Sequence, residues 1–338
     1  MTSDRSQPTT TASPRSEFAA AFRALCRFMA KQPTRLIDVA ASLDSRRFLR
    51  RDFPAELPLL LEQLTFPPYE PPLERWWLHW HDYYEIIVPL AGAGRFQVGD
   101  LQVPFQPGHL MLVESLRLHG GSKVTQAHRS LVIFFPAETI APPGGPLADR
   151  VFLSPLGTRT DGVLPVLDPV SSVAARAMRK VVELARAYYG EGTADARYVA
   201  CKLALLGLLG ELRAHFGSSA SPDEAQKRAR HQEQLHKILP YLAQHFAEPL
   251  TQPQVARVAG MSASRFRAFF KQTTGTTLAG YLRSLRLARV VELLRKTDHP
   301  LADIAAETGF ADQSHLFRCF RAQFGCGPFD FRRRHRDG

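Results

Sequence analysis

The chain has 338 residues, 45% of them hydrophobic and 22% charged, with a formal charge of +11; this excludes a disordered or fibrous polymer and a single small module, and predicts two or three domains. Cys26, Cys201, Cys319 and Cys326 have neither CxxC spacing nor the density of a disulfide framework, so a thiol metal site and an oxidising compartment are not expected. No stretch reaches the ~18 uninterrupted apolar residues of a membrane span, and a cytoplasmic protein without membrane contacts is expected.

In chain order, residues 1–64 read as an N-terminal extension. The first sixteen residues are rich in Ser, Thr and Pro and lack the apolar core of a signal peptide. From Glu17 to Lys31, Phe18, Phe22, Leu25 and Met29 recur at helical spacing, which predicts an amphipathic helix. The arginines at Arg46-Arg47 and Arg50-Arg51 read as a solvated helix end, with a basic arm touching DNA or the other domain as the alternative.

Residues 65–170 have strand character. In Trp76-Trp77-Leu78-His79-Trp80-His81 the alternation of a strand sets Trp77, His79 and His81 on one face and Trp76, Leu78 and Trp80 on the other. Short apolar runs at 85–88, 94–98, 101–103, 109–113 and 131–135, punctuated by Gly, Pro and Asp, predict a sandwich or small barrel. The string His79-x-His81-x3-Glu85-x6-Gly92, with Pro107-Gly108 and His119 after it, is similar to the motifs of the cupins. That resemblance implies a double-sheet barrel as a sensory domain, and in metal-dependent cupins the corresponding two His, Glu and later His bind one divalent ion. The match departs from the pattern at Leu73, where a glycine is expected, and in the long interval between Gly108 and His119.

Read by themselves, His79, His81, Glu85 and His119 line a polar pocket or bond the barrel's own turns. Tyr83 joins them as an effector contact, and a pocket walled by Trp77, Tyr83 and Tyr84 would suit a sugar, whose C–H faces stack on aromatic rings. His109 and His128 read as ordinary surface or loop histidines.

Two helical patterns follow, at about 171–189 and 194–216, within a region (171–217) assigned to dimerisation. The second carries Leu203, Leu205, Leu206, Leu208, Leu209 and Leu212, more than one packed face needs. Residues 218–230, opening on a Ser-rich stretch, are expected to be the interdomain linker.

The last domain, 231–338, carries 16 Lys+Arg against 9 Asp+Glu, so +7 of the +11 lies there. Such concentration is the electrostatic footprint of nucleic-acid binding. The region also repeats itself. Val255-Ala256, Gly260, Phe266, Phe270-Lys271 and Gly275 are echoed by Ile304-Ala305, Gly309, Leu316, Phe320-Arg321 and Gly325. Each copy has a short apolar-periodic segment, a glycine, and a second segment opened by an N-cap, Ser262 or Asp312, which is helix-turn-helix grammar. The first recognition helix is expected over 263–273 and a long connecting helix over 277–296.

From Leu250 to about Arg334 the chain resembles the AraC/XylS family of bacterial transcription regulators, through Gly260-Met261-Ser262, Thr274-Gly275, Arg286-Leu287, Gly309-Phe310, Gln313-Ser314, Phe324-Gly325 and Pro328 as well as the repeat. The resemblance implies two helix-turn-helix units on a linker helix, with base-edge contacts from Ser264, Arg267 and Ala268 and from Gln313, Ser314, His315, Phe317 and Arg318. Arg267 and Arg318 can grip guanine and Gln313 can pair adenine, whereas Ser264 and Ala268 are too small for strong readout. Lys271, Arg283, Arg286 and Arg321 read as phosphate contacts.

The expected protein is therefore an α+β multidomain chain, a cupin-like barrel with dimerising helices followed by an all-α DNA-binding domain. It is expected to be a homodimeric, non-enzymatic regulator of transcription. Its partners would be double-stranded DNA, a small-molecule effector and RNA polymerase. No cofactor is expected; the alternative is a metal-dependent cupin enzyme fused to a DNA-binding domain, with His79, His81, Glu85 and His119 as ligands.

Overall fold

The computed structural model describes residues 13–37, 49, 51–66, 79–98, 101–117, 119–123, 127–142, 145–156, 166–216, 222–274 and 276–334. Helix α1 (Pro14–Met29) is capped by Ser13 and buries Phe18, Ala21, Leu25 and Met29. Strands β1 (Thr34–Leu36), β2 (Leu60–Phe66), β3 (Tyr84–Ala91), β4 (Gly94–Val98), β5 (Leu101–Phe105), β6 (Leu110–Val113), β7 (His119–Lys123), β8 (His128–Phe135) and β9 (Val166–Leu167) follow. They form two sheets, β1-β2-β8-β3-β6-β9 and β5-β4-β7.

Period-two alternation in the central strands explains how these sheets bury both faces. Along β3, Tyr84, Ile86, Val88 and Leu90 pack outward against α1 and the helices that follow the barrel. Ile87 points the other way, into an inner core with Phe96, Phe105, Met111, Val132 and Phe134. Glu85 shares the face of Ile87, so a carboxylate stands on the inner surface.

The expected boundary at 65 is corrected: β1 and β2 belong to the large sheet, and β2 pairs with β8 along its whole length. Local pattern could not show this, because β2 acquires its role only by pairing with a strand some seventy residues later. Arg51, expected in a solvated helix end or a basic arm, instead has a side chain only 7% exposed, donating to Glu62 at 2.6 Å and lying over the Phe134 ring. Arg46, Arg47 and Arg50 lie outside the described residues.

Helices α2 (Ala174–Tyr189) and α3 (Ala194–Phe216) cover the outer face of the large sheet. Helix α4 (Pro222–His245) begins inside the stretch assigned to the linker; residues 218–221 lie outside the described residues. The helix-turn-helix region follows: α5 (Gln252–Val258), α6 (Ala263–Thr274), α7 (Leu278–Lys296), α8 (Leu301–Glu307), α9 (Gln313–Phe324) and α10 (Pro328–Arg334).

The two repeats are also structural repeats. Gly260 (φ 65°) and Gly309 (φ 78°) turn the chain between the paired helices in a left-handed conformation that favours glycine. At Gly309 a Cβ would also collide with the backbone of Ala247, in the connection between α4 and α5. Arg286 of α7 grips the same connection, donating to the carbonyls of Phe246 (2.8 Å) and Glu248 (2.9 Å). The two units are thereby clamped to each other. Gly309→Ala is expected to lower stability by about 3 kcal/mol through strain and backbone collision, read as a fall in the melting temperature of the full chain; an unchanged melting temperature contradicts the clamp.

Candidate functional site

The barrel and the helical region each bring sequence-predicted residues together. In the barrel, His79, His81, Glu85 and His119 are all buried, and one donor atom from each lies within 4.8 Å of the others. The cluster is built by pairing: His79 and His119 form an antiparallel bridge, exchanging backbone hydrogen bonds of 2.8 and 2.9 Å. Glu85 occupies the inner face at the start of β3.

The hydrogen-bonding is informative. His81 Nδ1 lies 2.9 Å from the carbonyl of Tyr83 and His119 Nδ1 lies 2.7 Å from the carbonyl of Arg117. A carbonyl can only accept, so each Nδ1 carries its ring's proton. Burial pushes His81 down to about 4, leaving it neutral near pH 7. With Nδ1 protonated, both Nε2 atoms present lone pairs. They stand 3.1 Å apart and 3.0 and 3.1 Å from Glu85 Oε2. Three acceptors therefore converge on one point, an arrangement able to hold a cation.

The cluster closes one end of a pocket inside the barrel. Phe66, Ile87, Phe96, Phe105, Met111 and Val132 form apolar walls, and His128 and Ser130 line it as well. Glu85 pairs with Phe134, whereas His128 pairs with Phe66 six residues down β8, so His128 sits toward the opposite end.

His128 corrects the expectation of a surface or loop histidine, since it lies in β8 and is 8% exposed; His109 is the expected loop residue, but it too is buried. His128 stacks on Phe66 at 4.5 Å, burial lowers it to about 4, and its Nδ1 has no hydrogen-bond partner among the described residues. Tyr83 is not on the lining. It stacks on His81 from behind (3.8 Å between ring centroids), and its hydroxyl donates to the Leu49 carbonyl. Tyr84 faces the outer core, and Trp77 lies outside the described residues.

In the helical region, α6 buries Phe266, Phe269 and Phe270 and exposes Ser264, Arg267, Ala268 and Lys271. Helix α9, capped by Asp312 Oδ1 accepting from His315 N at 2.6 Å, buries Leu316, Phe320 and Phe324. It exposes Gln313, Ser314, Arg318 and Arg321, while His315 and Phe317 are half-buried. The His315 ring meets Phe310 edge-on, and Phe317 packs against the second unit's core. A groove runs between the units, lined in part by Arg267, Lys271, Arg283 and His315. Arg286 is the exception among the expected phosphate contacts, because its guanidinium is committed to the two backbone carbonyls. Helix α7 packs its first half into the core of the first unit and its second half into the core of the second. No helix among the described residues is long and apolar enough to cross a membrane.

A sensory barrel joined to paired helix-turn-helix units defines a ligand-binding, DNA-binding regulator. The family model for an AraC-like ligand binding domain matches residues 70–139, and a helix-turn-helix domain model matches 255–334. The chain thus carries an AraC-like ligand-binding domain and a helix-turn-helix domain, and it is homologous to activators of the AraC family.

A relative in Salmonella arizonae, the HTH-type transcriptional activator RhaS, is 28% identical over 255 residues, covering 75% of this chain and 86% of the relative. RhaS of an Enterobacter species is 38% identical over 98 residues, covering 29% of this chain and 35% of that protein, so the match spans about a third of its length. Among solved structures, fatty-acid-bound ToxT from Vibrio cholerae is 10% identical with a TM-score of 0.42, covering 84% of this chain and 97% of that one.

Proposed function

We propose that the protein is a sequence-specific transcription regulator whose DNA binding is set by a small molecule held in the barrel cavity. The observation that carries this reading is the presence, in one chain, of two exposed recognition helices and a largely apolar pocket ending on a buried donor cluster. The helices would enter successive major-groove segments of double-stranded DNA, ~34 Å apart.

A homodimer through α3 is supported by Val199 and Leu203, which are 53% and 65% exposed although apolar. RNA polymerase is the proposed partner at the promoter. The relatives are transcription regulators by name, and the barrel is assigned a sensing role without turnover.

Selection of bound duplexes from a random pool by the full chain tests this reading. Two short conserved blocks one helical turn apart are expected; binding that vanishes with salt and shows no preferred sequence sinks it. On the selected duplex, Arg318→Ala is expected to cost ~1–3 kcal/mol of binding and to relax preference at one base pair. Arg318 is exposed, so the melting temperature should not move. A uniform loss across all sequences would instead make it a phosphate contact.

The lining supports an effector that is largely apolar with one polar end. A sugar would bury many hydroxyls against Phe, Ile, Met and Val side chains, where each unpaired hydroxyl is costly. The donor set fits a divalent cation as the occupant of the cluster. His81 and His119 offer Nε2 lone pairs with their Nδ1 protons fixed by backbone carbonyls, the usual support of a ligating imidazole. Glu85 supplies negative charge and His79 a fourth donor. When bound, the ion supplies positive charge at the end of the cavity and a coordination position for an oxygen donor of the effector.

A further inference from the structure

The segments that carry the histidines also carry two residues that leave the barrel. Between His79 and His81, Trp80 points to the other side of the strand. It is buried in one apolar cluster with Leu235, Ile238, Leu239 and Leu242 of α4 and with Val255, Phe266 and Phe270 of the first helix-turn-helix unit. Leu116, 1% exposed, belongs to the same cluster.

These two segments are tied together by backbone hydrogen bonds. The N–H of Leu116 donates to the carbonyl of His81 at 2.6 Å, and His79 and His119 exchange bonds two to three residues away on each segment. The Arg117 carbonyl, immediately after Leu116, accepts from His119 Nδ1. Leu116 has φ 67°, the one non-glycine residue with positive φ among the described residues. A leucine holds that conformation only where its surroundings impose it.

We infer that Trp80 and Leu116 are positioning residues that couple occupancy of the His79, His81, Glu85 and His119 cluster to the seating of the first helix-turn-helix unit. This rests on the reading of the cluster as a cation site in a ligand-controlled barrel. An occupant that pulls the three acceptors to common distances sets the direction of the His79–His81 and Leu116–His119 segments. The Trp80 and Leu116 side chains move with them, because hydrogen bonds between the two segments pin the backbone that joins ligand to wedge. The cluster they enter also contains Phe266 and Phe270, which hold the recognition helix bearing Arg267 and Lys271. Occupancy at the cluster thus changes DNA affinity, and by linkage DNA changes the affinity of the cluster by the same factor.

The test uses the full chain, Co²⁺ alone as probe, and a duplex selected by the wild type. Co²⁺ binding is followed by visible absorption and DNA binding by fluorescence anisotropy, each with and without the other component. The expected wild-type result is a change in DNA affinity of about fivefold or more on Co²⁺ addition, with an equal reciprocal change in Co²⁺ affinity.

Trp80→Leu, which keeps an apolar side chain at the joint, and Leu116→Gly, which tolerates the positive φ, should retain the Co²⁺ spectrum and DNA-free Co²⁺ affinity while the coupling factor falls toward one. As a variant-free readout, wild-type hydrogen exchange over 235–242 and 266–270 should change on Co²⁺ addition. Co²⁺ bound without wild-type coupling, or coupling undiminished in both folded variants, overturns the inference and leaves the cation site standing. Absence of any Co²⁺ spectrum overturns the cation reading and the coupling with it.

Discussion

Phe320→Ala is expected to cost about 3–5 kcal/mol, the usual result of emptying a fully buried aromatic site. Phe320 is 0% exposed and lies at the centre of the second unit's core. Its ring stands 4.3 Å from Phe324 and 5.4 Å from Phe331, so one substitution removes both aromatic contacts. A domain stable by ~5–15 kcal/mol has little reserve for such a loss, and the cavity is bounded by rigid α7, α8 and α10, which limits collapse. Because α9 is held by Leu316, Phe320 and Phe324 alone among its buried residues, the base-reading surface carrying Gln313, Ser314 and Arg318 should lose its orientation. A melt of the full chain should show an early transition, and a footprint on the selected duplex should shrink to the block read by the first unit. A complete footprint with an unchanged melt contradicts this packing. Comparison with Arg318→Ala separates loss of fold from loss of contact, since that variant should bind worse without melting earlier.

Glu85→Gln is expected to weaken Co²⁺ binding more than ~100-fold, beyond the 10–100-fold typical of losing a supporting hydrogen bond around a metal. The substitution removes the only carboxylate of the cluster, while shape and volume stay nearly constant. Its effect on the metal-free protein should have the opposite sign. In the wild type, Oε2 faces two imidazole nitrogens that, with Nδ1 protonated, are acceptors as well. A glutamine amide can donate to one of them, replacing a contact between lone pairs by a hydrogen bond of about 0.5–1.5 kcal/mol. The metal-free melting temperature should therefore hold or rise. A drop on substitution, with Co²⁺ affinity unaltered, would show that Glu85 serves the fold and that the cluster is not a cation site.

Legibility differed between the two halves for a physical reason. The recognition helix expected over 263–273 runs Ala263–Thr274, and the connector expected over 277–296 runs Leu278–Lys296 behind the Thr277 cap. Helices declare themselves through spacing and caps within a dozen residues, and here the pattern was written twice. In the barrel, alternation placed His79 and His81 on one face, but nothing local announced β7. Its His119-Gly120-Gly121 lacks the branched side chains typical of strands, and it becomes a strand by pairing with β4.

Tyr83 shows the limit of aromatic reasoning from sequence. A ring beside His81 reads as a pocket wall, yet packing turned it behind the imidazole. Arg286 shows the same limit for charge, since an arginine beside Arg283 on a basic helix reads as a phosphate ligand until the carbonyls of Phe246 and Glu248 are found against it.

By itself the sequence determined that +7 of the +11 belongs to a twice-written DNA-binding unit, and that two histidines and a glutamate share one barrel motif. Helical period, capping and strand alternation are local properties, and a chain carries them wherever it folds. Only the tertiary structure decided that His119 completes the cluster, that His128 lines the cavity, and that Trp80 and Leu116 leave the barrel for the first helix-turn-helix unit. Each of these depends on which distant strand or helix lies alongside, and that is fixed by the joint burial of surfaces far apart in the chain.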